Sequence, residues 1–141
     1  MSVDAAIARL EALALACTSV DIKSAPLYPV DNAMPCPFVI THHGSGSGTP
    51  QNGTSVLFNP SINVDFMFSD ANIGAAYHDM DAIALEFMQR LCGDPRLNNT
   101  VNTIVFPVTY EISPTEWNNV VLQMLRFIVP LKTLETPTTT A

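Results

Sequence analysis

The chain has 141 residues, 48% of them hydrophobic and only 13% charged, with a formal net charge of −7. That length fits one domain, burying roughly two thirds of the surface its unfolded form exposes, so a real core needs no disulfide or metal staple. The six basic residues (Arg9, Lys23, Arg90, Arg96, Arg126, Lys132) are scattered, leaving no basic row to neutralise phosphates, which argues against a chain that grips nucleic acid.

Ile7, Leu10, Ala14 and Cys17 share one face of a helix over residues 3 to 17, with Ser2 as N-cap and Asp4 in the first turn, where the helix dipole favours negative charge. Pro26, Pro29, Pro35 and Pro37 then exclude helix but allow two short extended pieces, the first near a sheet edge and the second at Phe38 to His42. Gly44 to Thr54 follows, an uncharged stretch containing four glycines that reads as an extended hairpin connection. Ser55 to Phe58 and Ile62 to Phe68 are β-rich. In the second, Ile62, Val64, Phe66 and Phe68 alternate with Asn63, Asp65 and Met67, predicting one buried and one wet face.

A long helix comes next, capped by Asp70 and ended by Gly93 and Pro95, with a buried stripe of Ile73, Ala76, Tyr77, Met80, Ala84, Phe87, Met88 and Leu91. Thr100 to Ile112 and Val120 to Leu131 read as two long strands, made antiparallel by the turn-rich SPTEWNN between them. The predicted class is α+β, a mainly antiparallel sheet with two helices packed on one face. Residues 1–133 form the single domain, and the Thr-rich residues 134–141 are read as a flexible tail.

Low charge and eleven prolines suit a chain that buries part of its exterior against copies of itself or neighbours, although a monomer with a Ser/Thr/Asn surface fits too. The opening MSVDAAIARLEALALAC carries Asp4, Arg9 and Glu11 and lacks a basic leader and a small-residue cleavage site, so it does not read as a signal peptide. No apolar run approaches the roughly eighteen residues of a membrane span. The expectation is a soluble product, intracellular at synthesis. Cys17, Cys36 and Cys92 are odd in number and widely spaced, which reads as small buried hydrophobes in a reducing compartment. The Asn52-Gly53-Thr54 and Asn98-Asn99-Thr100 glycosylation patterns carry no meaning without a secretory signal.

No catalytic motif fits. A nucleophile elbow needs serine two residues after a glycine, and in Gly44-Ser45-Gly46-Ser47-Gly48 a glycine stands there; a phosphate-binding loop needs GK[ST] opening a helix, whereas Gly48-Thr49-Pro50 leads toward a strand. His42 and His43 beside Ser45 and Ser47 suggest a base and a nucleophile, but strand neighbours point to opposite faces and the two imidazoles cannot share one ion. His78, Asp79 and Asp81 read as a solvated helix face before a metal centre, and Glu111 and Glu116 flank a turn without a second acid at catalytic spacing. Trp117 is either a turn anchor over the sheet edge or an exposed interface hot spot.

In order, the segments AAIARLEAL, MPCPFVITHHGSGSG, an apolar strand, one long central helix, NTIVFPVTYE and a final apolar strand with a short lysine-containing end resemble the tail terminator, or tail-completion, proteins of long-tailed bacteriophages and related small neck proteins. The resemblance spans residues 3 to 133 and rests on patterns. It implies a virion protein, made in the host cytoplasm, that forms a ring of typically six copies on the finished tail tube. The major tail protein and the head-tail connector would be its partners, without catalysis or cofactor. A head-tail connector or tail-tube subunit shares that build, and a small α+β enzyme or ligand-binding domain is the remaining alternative.

A closed ring would remove the open edges of an antiparallel sheet. Acidic residues along its channel would repel passing DNA. Under this reading Gly44, Ser45, Gly46, Ser47, Gly48, Thr49, Pro50, Gln51, Asn52 and Gly53 form a docking element that is mobile alone and orders against a neighbour, with Trp117 a second interface candidate.

Overall fold

The computed structural model describes residues 3–22, 36–51, 53, 55–117 and 119–135. The elements are α1 (Val3–Ala16), β1 (Phe38–Pro50), β2 (Val56–Ser69), α2 (Ile73–Cys92), β3 (Thr103–Ile104), β4 (Thr109–Trp117) and β5 (Val120–Glu135). The five strands form an antiparallel sheet in which β2 lies between β1 and β5, and both β4 and β3 pair along the far side of β5. The α+β class with helices on one face is as the sequence predicts. The expected Ser2 cap and the first extended piece fall outside the described residues.

The main core lies between the helices and one sheet face. Ile7, Leu10, Ala14 and Cys17 of the first helical stripe are all buried. On the sheet they meet Val39, Ile62, Val64, Phe66, Phe68, Leu125, Phe127, Val129 and Leu131. At the centre Phe66, Phe87 and Phe127 make edge-to-face contacts with ring centroids 4.8 to 5.9 Å apart, the arrangement that aromatic quadrupoles favour.

Polar groups tie the two helices together. Arg90 donates from Nη2 to the Ala16 carbonyl at the end of α1, at 2.8 Å, where a cation complements the helix dipole. The Glu86 carboxylate accepts from the backbone N–H of Thr18 and Ser19 at 2.8 to 3.0 Å. Desolvation works to raise the Glu86 pKa, but these Ser19 and Thr18 hydrogen bonds, with that from Arg90, outweigh it and hold the group at about 2. Arg9 Nε reaches Asp94 Oδ2 at 2.8 Å just beyond α2.

Several boundaries depart from the sequence reading. The N-cap of α2 is Asn72, whose Oδ1 accepts from the Ala75 N–H; Asp70 instead accepts a 2.7 Å hydrogen bond from Gln123 Nε2. The buried stripe of α2 runs through Ala76, Met80, Ile83, Ala84, Phe87 and Leu91, while Ile73 and Tyr77 lie to one side and are exposed. The strand expected over Thr100 to Ile112 is broken in two. Leu97, Asn98 and Asn99 take positive φ, and Pro107, with no N–H to give to a ladder, separates β3 from β4.

Most of the anticipated turn SPTEWNN is strand: Ser113 to Trp117 pair along β5, Trp117 lies opposite Val120, and Asn119 sits at φ 63. Leu134 and Glu135, assigned to a flexible tail, extend β5 and pair with Leu57 and Val56. The remainder of that tail lies outside the described residues.

The largest correction concerns the second sheet face. Asp65 and Met67, expected to be wet, are both buried. Met67 joins Phe38, Ile40, Leu122 and Met124 in a second apolar cluster. There Asp65 accepts a two-pronged hydrogen bond from Arg126, at 2.8 and 3.0 Å, and lies 2.9 Å from His42 Nε2. Burial works to raise the Asp65 pKa, but the His42 and Arg126 hydrogen bonds outweigh it and keep the carboxyl below its usual range.

Candidate functional site

The segment expected to be a mobile connection is strand. Gly44 to Pro50 continue β1: Gly44 falls at a register shift between His43 and Ser45, and from there the strand pairs residue by residue with β2, from Ser45 opposite Ser61 to Pro50 opposite Val56. Beyond Pro50 the Gln51 N–H donates to the Ser55 carbonyl and Gly53 is exposed; Asn52 and Thr54 lie outside the described residues. The expectation of a loop that orders only against a neighbour is therefore corrected: a serine-glycine alternation still supplies a full set of ladder donors and acceptors.

The result is an arm. His43 through Pro50 are exposed, whereas Phe38 to Thr41 of the same strand are buried. No Asp, Glu, Lys or Arg occurs from Phe38 to Val64. Two of the arm's glycines are explained by its own packing. A Cβ at Gly44 would stand 2.6 Å from Asn63 Nδ2, and one at Gly46 would stand 3.2 Å from the Asn59 carbonyl and Pro60 Cα. Gly48 is different: a Cβ there would meet Val56, Leu57 and Phe58 at ordinary distances of 3.5 to 3.9 Å, so the hairpin itself does not require glycine. Beside these glycines lies a shallow hollow walled by His43 and Phe58, whose rings meet edge to face.

At the opposite side of the sheet, β4 is the outermost strand beside α2. Between them runs a groove formed by Ala84, Leu85 and Met88 of α2 and Tyr110 and Ile112 of β4, with Asp81 at its rim. Leu85 is 65% and Tyr110 50% exposed, although Tyr110 also leans on Phe127 with ring centroids 5.4 Å apart. Isolated exposed apolar side chains are ordinary on protein surfaces; here Leu85 and Tyr110 stand together along an open strand edge. Nothing in the 3.6-residue pattern of α2 singled out this groove, because Leu85 becomes prominent only where β4 stops covering the helix.

The residues weighed for chemistry do not converge. His42 binds Asp65 on the second face, while His43 Nε2 lies 3.0 Å from the Ser45 carbonyl on the other. His78 and Asp81 are exposed on α2, and Asp79 is half-buried near Cys36 and Phe68 in a separate depression. Glu111 and Glu116 do not flank a turn: both lie within β4, opposite Arg126 and Val121. Among the described residues no group of three His, Cys, Asp or Glu side chains could hold a metal ion.

Burial pushes the Cys36 thiol up and the Cys17 thiol to about 11, away from the thiolate a nucleophile needs. Trp117 closes β4 beside the turn. Among the described residues no helix is long and apolar enough to cross a membrane. The sequence matches no model of a known protein family, and no curated protein matches it.

Proposed function

We propose that the chain is a structural subunit of a phage particle: a tail terminator that forms a ring, of six copies, on the finished tail tube and presents a surface to the head-tail connector, without catalysis or cofactor. The observation that carries this reading is the exposed, uncharged strand arm His43 to Pro50, projecting from a sheet whose opposite boundary, β4, is also an edge among the described residues. A sheet with two different open edges invites pairing with a neighbour, and a closed ring satisfies every edge without leaving a template for aggregation. Acidic composition suits a passage for DNA that must not retain it.

Density maps of purified particles, with the chain located by a specific antibody or tag, test this. A ring of copies at the joint between tube and connector is expected, and disruption of the gene should leave tails of uncontrolled length unjoined to heads. A chain absent from purified particles, or present as a lone copy, sinks the reading. A ring elsewhere in the particle favours a connector or tube subunit.

A further inference from the structure

We propose that the arm of one copy docks along β4 of the next, its glycine-bearing side seated against the groove between β4 and α2, as the repeating joint of the assembly. This rests on the ring reading above and names the two surfaces that would make it.

Three observations lead there. First, both surfaces are edges of the same sheet and they differ: β4 pairs with β5 alone, and the arm of β1 with β2 alone, among the described residues. An arm-to-β4 contact therefore joins copies head to tail, the type of interface that closes into rings. Pro114 has no N–H to offer, so the part of β4 open to a partner strand is Thr109 to Ser113, which contains the groove residues Tyr110 and Ile112.

Second, the shapes correspond. Gly46 and Gly48 pair opposite Pro60 and Phe58, on the side of the arm that continues the helix-facing side of β2. A strand added to β4 turns that side toward the groove. Leu85 and Tyr110 project there, and glycines leave them the room that larger side chains would fill. Gly48, which the hairpin does not require, gains a reason in this contact, since a strand glycine without a local cause marks close approach from outside.

Third, charge selects the occupant. The groove rim carries Asp81 and β4 also holds Glu116, while Glu111 stands opposite Arg126; with the whole chain acidic, an acidic surface of a second copy would be repelled there. The arm brings no acidic group, and a second copy can lay it on β4 without opposing like charges.

The test uses sedimentation velocity of the full-length chain up to millimolar concentration, with Leu85→Glu and Gly48→Glu. Both positions accept the change without entering the core, and thermal melts of each variant confirm that it folds. Wild type is expected to associate, and each variant to lose association by at least about tenfold at unchanged melting temperature. An equimolar mixture of the variants should form dimers and stop, because the Leu85→Glu copy keeps its arm and the Gly48→Glu copy keeps its groove.

Association unaffected by either substitution, or a mixture that remains monomeric, overturns the joint while leaving a ring built through other surfaces. A wild type monomeric at every concentration also overturns it, and the terminator reading then stands or falls on the particle density alone.

Discussion

The two ends of β1 sit in opposite surroundings although both belong to the same hydrogen-bonded ladder. Phe38 to Thr41 are covered on both faces, by the helix-side core and by the second cluster around Met67 and Met124; His43 to Pro50 are covered on neither. The buried end gains stability from apolar area removed from water, at roughly 25 cal/mol per Å2. The arm has little of that, and its order comes from paired backbone groups, helped by the extension of β5 that reaches Leu57 and Val56. Regular strand structure thus says little about where stability resides. Burial divides one strand into a scaffold and a presented surface.

The sharpest way to break that comparison is in the scaffold. Phe87→Ala removes the ring that contacts both Phe66 and Phe127 and should cost about 3 to 5 kcal/mol in urea unfolding. A loss below about 1 kcal/mol would mean that the aromatic trio does not organise the core. On the other buried face, Asp65→Ala strands Arg126 and should cost roughly 3 kcal/mol, whereas Asp65→Ala combined with Arg126→Met should recover part of it.

The sign of the pH effect follows from the lowered carboxyl pKa: the Asp65 contribution is present at neutral pH and disappears as pH falls below the ordinary Asp range, through the still lower folded value. A double variant less stable than Asp65→Ala alone would contradict the pairing.

Glu11 offers a titration within the scaffold. Its carboxyl is buried in α1 with Oε1 unpartnered, and burial raises its pKa to about 7 from 4.5. The folded chain therefore holds this proton more tightly than the unfolded chain. The Glu11 contribution should be most favourable below pH 4.5 and decline as pH rises toward 7, beyond which its penalty is constant. Glu11→Gln should stabilise the protein by about 2 to 3 kcal/mol at pH 8 and be nearly neutral at pH 4, measured as the difference between two denaturation curves. Equal effects at both pH values would show that the carboxyl is solvated.

The smallest effects belong to the arm. Gly46→Ala forces a methyl against the Asn59 and Pro60 backbone and should cost about 1 kcal/mol, while Gly48→Ala should change stability by no more than about 0.5 kcal/mol. The reverse order would place the close approach at Gly48 within the monomer and remove one support for intersubunit docking.

The amino-acid sequence by itself determined the class, both helices, the helix-side stripe of β2 and the apolar stripe of α1, because these depend on period: burial at every second or every third to fourth residue is written in the order of side chains. It also carried the uncharged character of Phe38 to Val64. Whether Gly44 to Pro50 were loop or strand was decided by the partner strand, since serine and glycine have weak local preference and a ladder depends on what lies opposite.

Only tertiary structure put Asp65 in the interior, because its partners Arg126 and His42 come from two other strands far away in the chain. It likewise set the groove of Leu85, Met88 and Tyr110, which exists where an edge strand leaves a helix partly uncovered. Periodicity reports which side of an element is apolar. How far a neighbouring element extends over that side is a property of packing between distant segments, and there the candidate interface arises.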